Sequence, residues 1–178
     1  MNENGKPLNP LIVTGAAPDV LIDIAQVPRV CSYDFMAIGM DAVDRYRWPI
    51  RWCATYHPVE IPEIRRRREA IGGNADFKII SHERRDDVDI FIADWWQPSG
   101  SSSLLGVQTA IRLGYTRIIL AGCPLIGKNA QNGSYENFRK GWEARAFDLG
   151  DRVRSMSGWT LDFLGAPTEE WLLKGSTQ

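Results

Sequence analysis

Two short runs constrain this chain more than anything else in it: Leu-Ile-Val-Thr-Gly at 11–15 and Arg-Ile-Ile-Leu-Ala-Gly at 117–122. Both are too short for helices, rich in β-branched residues and nearly all apolar. A strand with one wet face alternates apolar and polar side chains, whereas these would bury both faces. That pattern belongs to a parallel sheet covered by helices on each side. Similar runs recur along the chain, and the sequence predicts further strands at 28–33, 50–56, 76–82, 87–94 and 151–157. Helical patterns fall between them, at 18–25, 39–45, 62–71, 101–113, 135–149 and 169–173. The expected fold is a doubly wound, mostly parallel α/β sheet with helices on both faces, Rossmann-like. One domain covers 1–178, with the first ten residues loose.

In such folds ligands bind beyond the carboxyl ends of the strands, where the strand order reverses. That rule collects the loops at 15–19, 32–34, 56–58, 99–103 and 122–127 on one rim. The richest reads Pro-Ser-Gly-Ser-Ser-Ser at 98–103 and opens a helix with Leu104, Leu105, Val107, Ala110 and Ile111 on one stripe. The first amides of a helix lack internal partners and carry the positive end of its dipole, so they suit a phosphate or carboxylate. Gly100 would let an anion approach, with Ser99 and Ser101 beside it; the serines alternatively serve only as caps. The turn Gly15-Ala16-Ala17 offers a second opening, without the full dinucleotide spacing.

Bulk properties narrow the class. The net charge is −1 over 178 residues, so no general field favours nucleic acid or an anionic membrane. No stretch approaches the roughly 20 apolar residues of a spanning helix, and the first residues do not read as a secretory signal. Cys31, Cys53 and Cys123 are widely spaced, as expected for reduced thiols in a cytoplasmic protein rather than a zinc site.

Several side chains are candidates for chemistry. His57 ends a predicted strand on the rim and suits a general base near neutral pH, or else caps the strand end. His82 reads as an exposed loop residue. Asp19, Asp34 and Asp94 each follow a predicted strand, and two converging there would hold magnesium against a diphosphate; nothing in their spacing requires it. Trp95 or Trp96 would stack on a base or pack in the core. The arginines of Ile-Arg-Arg-Arg-Arg-Glu at 64–69 read as a solvated face paired with Glu60, Glu63 and Glu69. Tyr135, Phe138 and Trp142 lie at helical spacing, suiting core or interface. The Trp- and Leu-rich tail at 157–173 would dock on the sheet or on a second subunit, making a homo-oligomer.

The segments at 11–19 and 98–124, with Ala-Gln-Asn-Gly-Ser-Tyr-Glu-Asn-Phe at 130–138, resemble bacterial sialyltransferases of the Campylobacter type. They are also similar to archaeal 6-hydroxymethylpterin diphosphokinase-like proteins, and the tail resembles phage-encoded members. The resemblance implies a nucleotide or nucleotide-sugar donor and transfer of a group from it. It places Gly15 and Ala17 in a phosphate turn, Ser32 or Tyr33 and His57 near the nucleotide, and Ser99, Gly100 and Gly122 against it. Tyr135 falls near the donor phosphate, and Asp19 is an alternative base. The departures are specific. The turn reads Gly-Ala-Ala-Pro-Asp instead of Gly-x-Gly-Pro-Ser, Gly122 is followed by Cys-Pro with no Asp, and both histidines lie upstream of the position that the group's histidine base occupies. Three readings follow, a transferase, a nucleotide- or signal-binding protein without catalysis, and an assembly protein that merely inherits the fold. The expected place is the cytoplasm, the host's if the chain is phage-encoded.

Overall fold

Parallel pairing obliges every crossover to return the chain to the same end of the sheet, and the computed structural model follows that rule throughout. It describes residues 8–93, 101–127 and 135–174. Seven strands form one sheet: β1 (Leu11–Thr14), β2 (Asp34–Ile38), β3 (Trp52–Ala54), β4 (Lys78–Ser81), β5 (Ile90–Phe91), β6 (Ile118–Ala121) and β7 (Val153–Ser155). Their order is β5-β4-β3-β2-β1-β6-β7, and every neighbouring pair is parallel. The chain starts in the middle, steps outward to β5, then returns to lay β6 on the other side of β1. The strand order therefore reverses between β1 and β6.

Helices α1 (Val20–Gln26), α2 (Ile61–Ala70), α3 (Ser102–Arg112), α4 (Glu136–Glu143), α5 (Ala146–Leu149), α6 (Gly158–Leu164) and α7 (Glu169–Leu173) flank the sheet. Successive strand side chains point to opposite faces, and the central strands use both. Leu11, Val13, Met36, Ala54, Ile118 and Leu120 pack against Leu104, Leu105, Val107 and Ala110 of α3 and against Trp142 of α4. On the other face Ile12, Ile119 and Ala121 meet Val20 of α1 and Trp171 and Leu172 of α7. Ala37, Cys53 and Ile79 meet Ile61 and Ile64 of α2. All residues of β1 and β6 are buried, as two covered faces require.

The buried helix α3 sets the depth of one layer. At Gly106 a Cβ would lie 2.7 Å from Ile38 Cδ1 and 2.9 Å from Met36 Sδ, so glycine lets the helix sit this close to β2 without moving those side-chain ends. The helix ends on Gly114, at φ +91°, with Gly114 N–H bonding Ile111 O and Tyr115 N–H bonding Ala110 O. This Schellman ending explains Leu-Gly-Tyr at 113–115. The Tyr115 hydroxyl then donates to Asp34 Oδ2 at 2.6 Å and accepts from Trp52 Nε1 at 3.1 Å, fixing the end of α3 to the amino ends of β2 and β3.

Three expectations are corrected. The second strand is Asp34–Ile38, not 28–33. Two adjacent runs compete there, and the later one supplies Met36 and Ala37, fully buried on opposite faces, while Cys31 and Ser32 are exposed. Residues 39–45 form turns rather than a helix, so the β2–β3 crossover is irregular. The helix expected at 135–149 is broken at Ala144–Arg145, and α6, not expected, occupies the start of the tail.

The irregular crossover explains a fourth correction. Arg66 and Arg67 pair with Glu63, as a solvated face would, but Arg68 is completely buried. Its guanidinium donates to the carbonyls of Val43, Tyr46 and Trp48 and to Asn74 Oδ1. Backbone that lacks helical hydrogen bonds needs other partners when buried, and one arginine supplies them. Burial lowers the Arg68 pKa, opposed by nearby Tyr46 and Cys53.

Candidate functional site

At the carboxyl end of the sheet the strand-order reversal brings the turn after β1 against the turn after β6. Gly15 N–H donates to Ala121 O at 2.8 Å and Ala17 N–H to Gly122 O at 3.2 Å. A Cβ at Gly15 would lie 2.1 Å from Gly122 O, and one at Gly122, where φ is +67°, would lie 2.7 Å from Val20 Cβ. Gly15 is thus demanded by the contact between the turns, and Gly122 by its positive φ and by the start of α1. Ala16 and Ala17 are partly exposed beside it, and Asp19 is exposed at the start of α1.

A buried carboxylate braces this junction. Asp23 Oδ2 accepts from Gly122 N–H and from the Ser157 hydroxyl, both at 2.7 Å, joining α1 to the ends of β6 and β7. Beyond Gly122, Cys123 O accepts from the Thr160 hydroxyl at 2.8 Å and Pro124 O from Trp159 N–H at 2.8 Å. Burial, with the nearby Asp23 charge adding to it, pushes the Cys123 thiol up to about 12.

Along the same rim α3 begins beside the ends of β3 and β4. Ser101 Oγ accepts from Leu104 N–H at 3.4 Å and lies 2.8 Å from Ser103 Oγ, so this hydroxyl caps the helix. Ser102 Oγ accepts from Tyr56 N–H at 3.0 Å, which ties the helix start to the β3 end. The Tyr56 ring stacks on His82, 4.1 Å between centroids and 11° from parallel, while His57 meets it edge-on at 5.8 Å. His57 is exposed and its backbone N–H donates to Thr55 Oγ1 at 2.9 Å. His82 is not the exposed residue expected: its side chain is 16% accessible. Burial lowers its pKa, Glu83 opposes this, and His57 adds to the lowering.

The structure brings Gly15, Ala16, Ala17, Asp19, His57, Ser101 and Gly122 to this rim. Tyr135 precedes α4, partly buried with its ring 5.8 Å from Phe138. Ser99 and Gly100, with Asp94, Trp95 and Trp96, lie outside the described residues. Ser32 and Tyr33 are corrected in position. Because β2 starts at Asp34, they lie at the amino ends of the strands, across the sheet, where the Tyr33 hydroxyl donates to Pro28 O. Gly39, at φ +69°, takes their place at the β2 carboxyl end. Asp34 is likewise at the amino end and cannot join Asp19 around a cation. Among the described residues no group of three or more His, Cys, Asp or Glu is gathered for a metal, and no helix is long and apolar enough to cross a membrane.

A groove of about 930 Å³ lies at the opposite end of the sheet, among Tyr33, Phe35, Trp48, Arg51, Trp52 and Lys78. That volume falls in the range of small-molecule sites. Its polar groups, however, are occupied with one another: Arg51 with Asp34, Lys78 with Asp89, and the Asn74 amide with Ile50 O and Asp76. The rim is the better candidate because fold topology, helix starts and both histidines converge there.

Sequence reasoning passed over Asp23, His82 and the Tyr46 hydroxyl, which lies 2.7 Å from Thr14 Oγ1 at the end of β1. Asp23 left a signal. It falls on the α1 face that carries Val20 and Val27, where a carboxylate is out of place unless it is bonded.

No protein-family profile and no curated protein sequence matches the chain. Its fold is similar to that of the sialyltransferase CstII from Campylobacter jejuni solved in complex with cytidine-5'-monophosphate, with a TM-score of 0.61 and 12% identity, covering 96% of this chain and 100% of that one. The same enzyme solved with CMP-3FNeuAc gives 0.61 and 13% over the same extents. At that identity the likeness is one of fold.

Proposed function

We propose that this chain binds a nucleotide along the carboxyl rim of its sheet, and that the nucleotide is an activated donor, a nucleotide sugar, from which a group is transferred. The observation that carries the reading is the reversal of strand order between β1 and β6 with the starts of α1 and α3 on the same rim. The fold likeness to an enzyme solved with cytidine nucleotides supports the ligand class.

In this reading Ser99, Gly100 and the first amides of α3, with Ser101 capping them, receive phosphate. Gly15, Ala16, Ala17 and Gly122 frame the ligand through the fixed turn pair. His57, exposed at the rim, takes the acceptor proton, with Tyr56 and His82 as an aromatic wall. Asp19 is the alternative base, and Tyr135 donates to the donor phosphate. Diphosphate transfer from ATP is the variant with a different donor.

A specific pair of observations favours binding without transfer as the second reading. The Gly122 carbonyl fills the space beside Gly15, and neither of the two histidines follows β6. Thermal unfolding against CMP, UDP, ADP, ATP and sugar nucleotides, with and without magnesium, tests both. A ligand at 100 times its dissociation constant adds about 2.7 kcal/mol. A selective rise in Tm supports the nucleotide reading, and none across the panel overturns it. Release of free nucleotide from the stabilising donor, abolished in His57→Ala while the Tm rise persists, separates transfer from binding alone.

A further inference from the structure

We infer that Arg139 recognises the phosphate of the bound nucleotide from the β6 side of the rim, an inference that rests on the nucleotide reading above. Its guanidinium is held in place. Nε and Nη2 donate to Leu125 O at 2.8 and 2.5 Å, and the group lies over the Trp159 ring, 5.7 Å from its centroid. Leu125 follows the strand whose end forms the switch point, so the cation is fixed at the same loop as Gly122.

Position together with pairing sets this arginine apart. Arg51, Arg67, Arg85 and Arg154 meet the carboxylates of Asp34, Glu63, Asp87 and Asp151. Arg68, Arg117 and Arg152 meet carbonyls, Arg117 also lying over the Trp171 ring, but Arg68 is wholly buried and the other two precede β6 and β7, at the amino ends of the strands. Arg139 follows β6, uses a neutral carbonyl and an aromatic face, and forms no ion pair with the described carboxylates. Glu136, also on α4, is 2.8 Å from Lys140 Nζ and feels the Arg139 charge through space. Among the described residues no carboxylate pairs with the charge, and the oriented side chain belongs to a residue that is still partly exposed. An oriented guanidinium with spare N–H groups matches a phosphate better than a mobile lysine does.

Leu125 adds an independent observation. Among the described residues it is the one non-glycine at positive φ, +46°, although its side chain is buried. A bulky residue in the left-handed region stores strain that its surroundings must hold. Arg139 holds it through the Leu125 carbonyl, so the cation and the strained turn form one unit beside Gly122.

The experiment is calorimetric titration of four pairs, CMP and cytidine, UMP and uridine, AMP and adenosine, GMP and guanosine, into wild type, Arg139→Gln and Arg139→Lys. Glutamine keeps a donor for Leu125 O and removes the charge. Wild type should bind the preferred monophosphate at least about 10-fold more tightly than its nucleoside, with the ratio shrinking as salt rises. Arg139→Gln should bring the ratio close to one and remove its salt dependence, and Arg139→Lys should reduce it about threefold or more while keeping the salt dependence. A purely structural clamp would weaken nucleoside and monophosphate equally, leaving the ratio intact, and that result overturns the inference while the nucleotide reading stands. Should Arg139→Gln not fold, an unchanged ratio in Arg139→Lys has the same force. Wild type that binds none of the eight compounds overturns both readings.

Discussion

Gly15 and Gly122 approach so closely across the switch point that a Cβ on Gly15 would lie 2.1 Å from the Gly122 carbonyl oxygen. The obstacle is backbone held by Asp23 and by Ala17 N–H, so it cannot swing aside. Gly15→Ala should destabilise the fold by about 1–3 kcal/mol, the usual range for overpacking a fixed contact. Urea unfolding checks this, and a midpoint equal to wild type would show that the turns separate freely.

Asp23 is the brace behind that contact. Asp23→Ala leaves Gly122 N–H and the Ser157 hydroxyl without their buried acceptor and should cost about 1.5–3 kcal/mol. Ser157→Ala should cost less, and the double variant should cost less than the two single losses summed, because both act through one carboxylate. Strict additivity in a double-mutant cycle would contradict the shared role.

Asp23 and Arg68 also mark how far the sequence could be read. The parallel sheet, the central strands β1 and β6, helix α3 and the helix at Glu169–Leu173 were legible, because buried strands and capped helices carry local signals. The position of β2 was not. Residues 28–33 and 34–38 are both short and apolar, and pairing with Leu11–Thr14 decides between them. Nor could one arginine in a run of four announce itself as buried, since its partners are carbonyls some 20 residues away. At the rim, the glycines at 15 and 122 and the position of His57 were legible, whereas His82 needed the stack on Tyr56 to identify it.

Thiol chemistry reports on the same burial. Desolvation in the core pushes Cys53 up to about 12, as it does Cys123, whereas Cys31 is exposed. The thiolate is the reactive form. At neutral pH Cys31 should therefore be alkylated rapidly and the other two only after unfolding, giving one modified site by mass spectrometry natively and three in denaturant. Fast native labelling of Cys123 would mean that the junction behind Gly15 is open.

His82 gives the fold a pH dependence of defined sign. In the unfolded chain its imidazole protonates at about 6.5, whereas in the folded protein burial delays protonation to lower pH, with Glu83 opposing and His57 reinforcing the effect. Between those two values the unfolded state binds more protons, so stability rises with pH and the gain is complete above about 6.5. The urea midpoint of wild type should climb from pH 5 to 7, and His82→Gln should flatten part of that climb. Equal slopes in the two proteins would remove His82 from the account.

Ligand should bind at the carboxyl rim rather than in the groove of about 930 Å³ at the amino ends of the strands. Amide chemical-shift mapping during titration with the nucleotide that raises Tm most is the direct measurement. The account predicts perturbations at Gly15–Ala17, Tyr56–His57, Ser101–Ser103 and Gly122–Leu125, with Trp48, Arg51 and Lys78 unmoved. Perturbations confined to Trp48, Arg51 and Lys78 would place the ligand at the wrong end of the sheet and contradict it.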